Sequence, residues 1–157
     1  MSNCSFLTRI FWTAAAVSLL AALPATASLG DNESSVQTDA QHLRASVRVA
    51  QQNNYTVHEM TASAGTTVRE YVSPEGKVFG VSWQGPARPD LQQLLGSYYQ
   101  RASDLVQQQK SQRNGRHPIS VSEPDLVVQM GGRQRAFAGR VYVPSLMPSN
   151  VTAQEIR

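Results

Sequence analysis

REYVSPEGKVFGVSW, residues 69–83, decides how the middle of this chain folds. Pro74 presets φ for the second position of a turn, and Gly76 supplies the left-handed residue that closes a short hairpin. The flanking segments alternate as strands do, so Val72 is expected opposite Val78 and Tyr71 opposite Phe79. Trp83 is expected further along the Phe79 face, with Arg69 near the edge of that face. Glu70 falls opposite Gly80, at a solvated edge. Every residue of the stretch has a folding role, and none of them specifies a reaction.

Upstream, residues 55–60 (YTVHEM) and 66–72 (TTVREYV) read as strands separated by a small, turn-prone segment. Before them Val36, Ala40, Leu43, Val47 and Ala50 recur at helical spacing, which predicts an N-terminal helix over residues 36–51. Downstream, residues 84–89 (QGPARP) break the pattern and Asp90 stands as an N-cap. Leu91, Leu94, Leu95, Tyr98, Ala102, Leu105 and Val106 then carry a long amphipathic helix over residues 90–111. Ile119 and Val121 begin a strand that Pro124 interrupts. Residues 126–130 (LVVQM) and 133–143 form a last hairpin about a Gly131-Gly132 turn, and TAQE at 152–155 matches a capping box. The order is three strands, a long helix, then two strands. It predicts an α+β fold: a largely antiparallel sheet of about five strands with the long helix on one face, plus the N-terminal helix.

The first 27 residues have a separate purpose. Arg9, the apolar run of residues 10–23, Pro24 and Ala25-Thr26-Ala27 form the pattern of a cleaved export signal. The run is shorter than the roughly 20 residues a membrane span needs. Cleavage after Ala27 leaves 130 of the 157 residues: a polar, flexible start over 28–35 and one domain over 36–157. The single cysteine, Cys4, leaves with the leader, so disulfides, thiol catalysis and thiolate metal sites are not expected in the mature protein. Its 13 basic and 11 acidic residues give a net charge of +2, no signature of nucleic-acid binding. The expected location is the periplasm or the exterior.

The chemical motifs mostly fail on spacing. Gly80-Val81-Ser82-Trp83-Gln84-Gly85 has Gln84 where a nucleophile elbow needs glycine, and Ser82 lies inside a strand. His42, His58 and His117 are far apart with no paired-ligand spacing, so neither a metal nor another cofactor is expected. Glu59, Glu70, Glu75 and Asp90 single out no catalytic pair, and Glu75 and Asp90 have turn and cap roles. Lys110, Arg113 and Arg116 gather about the loop after the long helix, while Arg133, Arg135 and Arg140 flank the last hairpin. Arg133 and Arg135, two apart on one strand, are expected to share a face open to an anionic partner.

The blocks at residues 68–96 (VREYVSPEGKVFGVSWQGPARPDLQQLLG), 125–132 (DLVVQMGG), 135–140 (RAFAGR) and 28–31 (SLGD) resemble one family. It is domain of unknown function 2844, a group of small exported proteobacterial proteins. The resemblance implies a Gram-negative envelope setting and a domain covering nearly all of the mature chain. It brings no activity and no site residues.

The functional expectation is a non-enzymatic binding or accessory protein, with another envelope protein as a conceivable partner. Its candidate binding residues are Trp83 and Arg88, in and beside the 84–89 linker, and Arg133 and Arg135. The alternatives are a hydrolase or lyase using dispersed carboxylates and His58, with Glu70 the residue to test, and a small-ligand carrier with an aromatic-lined pocket.

Overall fold

The computed structural model describes residues 29–112 and 117–157. The expected export signal, with Cys4, and the loop residues Arg113 and Arg116 lie outside the described residues. The chain is α+β, with a fully antiparallel seven-stranded sheet in the order β1-β2-β3-β4-β7-β6-β5. The strands are β1 (Ser46–Gln51), β2 (Thr56–Thr61), β3 (Thr67–Val72), β4 (Val78–Gly85), β5 (Ile119–Ser122), β6 (Val127–Arg133) and β7 (Ala136–Tyr142). Three helices, α1 (Ser35–Leu43), α2 (Leu91–Leu95) and α3 (Tyr99–Ser111), accompany them.

All five expected strands are present, the strand begun at Ile119 is completed as the short β5, and β5 and the unexpected β1 are the sheet's edges. The N-terminal helix is shorter than expected. It ends at Leu43, where Arg44 turns left-handed at φ 48°, and residues 46–51 form β1 instead. Val47 and Val49 alternate along that strand, a pattern that suits their β-branched side chains better than a helix does. The long helix is also broken. Asp90 caps α2, accepting from the Gln92 and Gln93 amides at 3.0 and 3.1 Å. Gly96 then takes φ 46°, and a 3-10 turn over Gly96–Tyr98 redirects the chain into α3. Apolar spacing runs on through the break, so periodicity alone conceals it. The stretch before α1 is hydrogen-bonded into the fold: Leu29 is buried and donates to Leu94 O, and Gly30 donates to Val78 O.

The β3–β4 hairpin turns at Gly76 (φ 75°), and Val72 pairs with Val78. Phe79 is an extra residue in β4, so Tyr71 meets Gly80 and Glu70 meets Val81. This bulge separates the aromatics expected on one face. Trp83 joins the helix-side core with Val68, Val81, Leu94 and Leu95, whereas Phe79 joins Tyr71, Tyr142 and Ile156 on the opposite face. A Cβ on Gly80 would touch Ile156 and the Cβ of Tyr142 at 3.3 Å, so the space beside Gly80 is filled by the chain's last turn. That segment carries the expected capping box, in which Thr152 N donates to Glu155 Oε1 at 2.8 Å and Ala153–Glu155 form one 3-10 turn. It is strapped to the sheet from below: Arg140 donates to the Ala153 and Ile156 carbonyls, and Tyr71 and Arg69 donate to Arg157 O. Arg140 is thereby a structural staple.

The last hairpin turns later than expected. Gly131 and Gly132 are paired residues of β6, opposite Ala138 and Phe137, and the turn is Gln134-Arg135 with Arg135 at φ 65°. Arg133 therefore ends a strand and Arg135 sits in the turn, so the shared strand face expected of them does not exist.

Candidate functional site

Two places on the helix side of the sheet hold the chemistry, one open and one sealed. The open place is a groove of about 620 Å³ between α3 and the β5-β6-β7 end of the sheet. Its floor follows from register. Trp83, Gly139, Met130 and Ile119 stand in one cross-strand row, and Phe137 stands in the next row, opposite Gly85 and Gly132. A Cβ on Gly139 would lie 2.3 Å from Trp83 Cζ2, so only glycine lets the indole cross β7. Leu91 and Leu95 of α2 and Val106 of α3 form the facing wall.

The mouth is cationic. Arg88 lies over the Phe137 ring with its guanidinium carbon 4.9 Å from the centroid, and Lys110 and His117 also line the groove. No acidic side chain lines it among the described residues. The acids nearby are engaged elsewhere: Glu123 and Asp125 both take Arg101, at 2.9 and 3.0 Å, and Asp104 takes Gln100. Trp83 and Arg88, both named from the sequence, thus come together in one groove, as floor and rim. Arg133 and Arg135 are exposed and line none of it, but Arg133 directly follows the lining residue Gly132 at the same end.

The sealed place lies under α1. Glu70 is only 1% exposed and Asp39 of α1 is fully buried, so neither occupies the solvated edge expected of Glu70. Across the sheet Glu70 stands in a row with His58 on one side and Val81, Val141 and Val128 on the other. Burial in that apolar row, reinforced by the neighbouring Asp39 charge and its hydrogen bond, pushes the Glu70 carboxyl up to about 9. Burial raises Asp39 as well, opposed by its hydrogen bonds to Glu70 and Gln93 and by the His42 charge, and assisted by Asp31. Gln93 of α2 donates to Asp39 Oδ1 at 3.0 Å, while Asp39 Oδ2 and both Glu70 oxygens receive no bond from a protein N–H or hydroxyl. A proton held on one Glu70 oxygen and donated to Asp39 would give Asp39 Oδ2 the partner it otherwise lacks. His58 Nε2 lies 2.8 Å from Glu33 Oε1, leaving its Nδ1 buried without a protein partner.

The sequence brought Glu70 and His58 forward separately, and the fold makes them cross-strand partners. Neither lines a cavity described above. Asp39 was missed. Its signal was its place between Val36 and Leu43, on the apolar face of α1. Ser82 is buried in β4 with its Oγ 3.3 Å from Tyr71 Oη, a core hydroxyl. His42 and His117 are exposed and far apart in sequence, and no cluster of metal-ligating side chains occurs among the described residues.

The model of a family described as "Protein of unknown function (DUF2844)" matches residues 25–156. The chain belongs to that family. No curated protein and no solved structure matches it. The DUF2844 match takes in both the groove and the sealed carboxyl pair, so both lie inside the family's domain. No helix among the described residues is long and apolar enough to cross a membrane.

Proposed function

We propose that this DUF2844 protein is an exported, non-enzymatic binding protein whose working surface is the groove beside α3. The observation that carries the reading is the groove itself. It has a continuous apolar floor of Trp83, Met130, Ile119 and Phe137, and its volume suits a small molecule rather than a water cluster. The buried carboxyls lie elsewhere, which favours binding over catalysis. Export is supported by the leader pattern of residues 1–27, and the family match begins at Ala25, beside the expected cleavage point. The periplasm or the exterior is the location that follows.

The test is titration with N-phenylnaphthylamine, a neutral apolar probe that brightens on leaving water. Saturable binding at one site per chain is expected. Ser103, a half-buried groove residue on α3, is the place to fill it. Ser103→Trp should abolish the brightening while the melting temperature stays within a few degrees of the parent. Unchanged probe binding in a folded Ser103→Trp protein would rule the groove out.

A further inference from the structure

Building on the groove as the binding surface, we infer that its ligand is a single-chain amphiphilic anion with a carboxylate head, held at the mouth by Arg88 and Lys110. The charge layout carries this. Arg88 and Lys110 line the same cavity as Trp83 and Phe137, and the lining includes no carboxylate to neutralise them. The other arginines whose side chains bond within the fold are committed: Arg69 to Glu59, Arg101 to Glu123 and Asp125, and Arg140 to Gln129 and two carbonyls. Among the described residues Arg88 has only the face of Phe137 as a partner, which positions a guanidinium without cancelling its charge.

The geometry also says which end of the ligand goes where. Phe137 is paired with Gly132, two residues before the Gln134-Arg135 turn, and Lys110 lies in the last turn of α3. Pro118 packs at Gly131, which brings the start of β5, with exposed His117, to the same end. The cations therefore ring the hairpin end, while Trp83, Met130 and Leu95 continue the apolar surface inward. A planar carboxylate matches the two-pronged guanidinium, and an alkyl chain matches the floor. A neutral apolar ligand would leave the charged mouth unused, and an ammonium head would meet like charge.

Displacement of N-phenylnaphthylamine by three amphiphiles with twelve-carbon chains, the charged two below their micellar concentrations and the alcohol below its solubility limit, tests this. Dodecanoate should displace the probe at a concentration about tenfold or more below that of dodecanol, and dodecyltrimethylammonium should be weakest. Added salt should narrow the gap. In Arg88→Gln with Lys110→Gln, checked for folding by circular dichroism, the dodecanoate-to-dodecanol ratio should fall toward one. Equal displacement by dodecanoate and dodecanol, or a preference that survives both substitutions, would overturn the anion inference and leave the groove standing. Failure of the probe to bind would remove the groove and this inference together. Binding to phosphatidylglycerol vesicles with no displacement by monomeric dodecanoate would assign the cations to a membrane surface, and the inference would fall.

Discussion

The two ends of the helix-side face treat charge in opposite ways. Under α1, Glu70 and Asp39 are both buried, and burial raises both carboxyls above their ordinary range. Beside α3, the cations stand at the rim of a groove whose floor keeps Met130, Ile119 and Phe137 partly exposed around a nearly buried Trp83. Both ends rest on the same sheet and share α2, which supplies Gln93 to Asp39 and Leu91 and Leu95 to the groove. Packing accounts for the contrast. Glu70 is buried beside Asp39 of α1 and His58 is buried beside Glu33, while the break at Gly96 sends α3 toward β5, where its contact with the sheet leaves a channel. A perturbed carboxyl is often an indication of catalysis, but here it marks the sealed end. The open end has ordinary charges in an accessible place, and that is where a ligand is to be sought.

The largest effect is expected where the groove floor is also core. Trp83 is 4% exposed and lies across Gly139, so Trp83→Ala removes the floor and opens a void. A loss of about 4 kcal/mol in denaturant unfolding is expected. Stability should keep the sign of its pH dependence, because the carboxyl pair is intact. A loss below about 1 kcal/mol would show that the indole is not packed as described.

The sealed end answers to pH. The Glu70 carboxyl is raised from 4.5 to about 9 in the folded chain, so between those values the folded state holds a proton that the unfolded state has released. The contribution is fully present below the unfolded value and is lost as pH rises through the folded one. Asp39, also raised, acts in the same direction. The melting temperature should therefore fall from near pH 5 to pH 9 at constant ionic strength. Glu70→Gln supplies a neutral donor to Asp39 and should flatten that slope. Near pH 7 it should stabilise by about 3 kcal/mol, converging with the parent near pH 4.5. Parallel profiles for the two proteins would mean that Glu70 is not the group that holds the proton.

Much of this was legible in the sequence, and the exceptions share a cause. The five inner strands carry apolar residues dense enough to show an alternating pattern. The edge strands do not: β1 was hidden because Val36, Ala40, Leu43, Val47 and Ala50 fit a helical period by coincidence, and β5, only four residues long, showed as no more than a strand start cut short by Pro124. Glu70 alternates with Val68 and Val72, and Asp39 lies between Val36 and Leu43. Each acid on its own resembles a polar interruption, and only the sheet and α1 together show that they face each other. Trp83 and Arg88 were found because an aromatic beside a Pro-rich basic linker is a local feature. The groove was not, because it exists only once α3 lies over β5 and β6. The bulge at Phe79 was invisible too, since one extra residue changes no composition, yet it sends Trp83 and Phe79 to opposite faces.

The smallest expected effect lies at the rim of the open end and tests where the last hairpin turns. Arg135 takes φ 65°, a left-handed conformation that costs a side-chain-bearing residue roughly 1 kcal/mol relative to glycine. If Gln134-Arg135 is the turn, Arg135→Gly relieves that strain, offset in part by the greater freedom of the unfolded chain. A net gain of about 0.5 kcal/mol is expected, with no change in probe binding, because Arg135 does not line the groove. If the turn were instead at Gly131-Gly132, residue 135 would lie within a strand, and glycine there would cost about 0.5–1 kcal/mol. The two placements predict opposite signs. They also place Phe137 differently: only the later turn pairs it with Gly132, holding its ring in the groove beneath Arg88. A destabilised Arg135→Gly protein would therefore shift the register of β6 and β7 and separate the cationic mouth from the floor it is taken to serve.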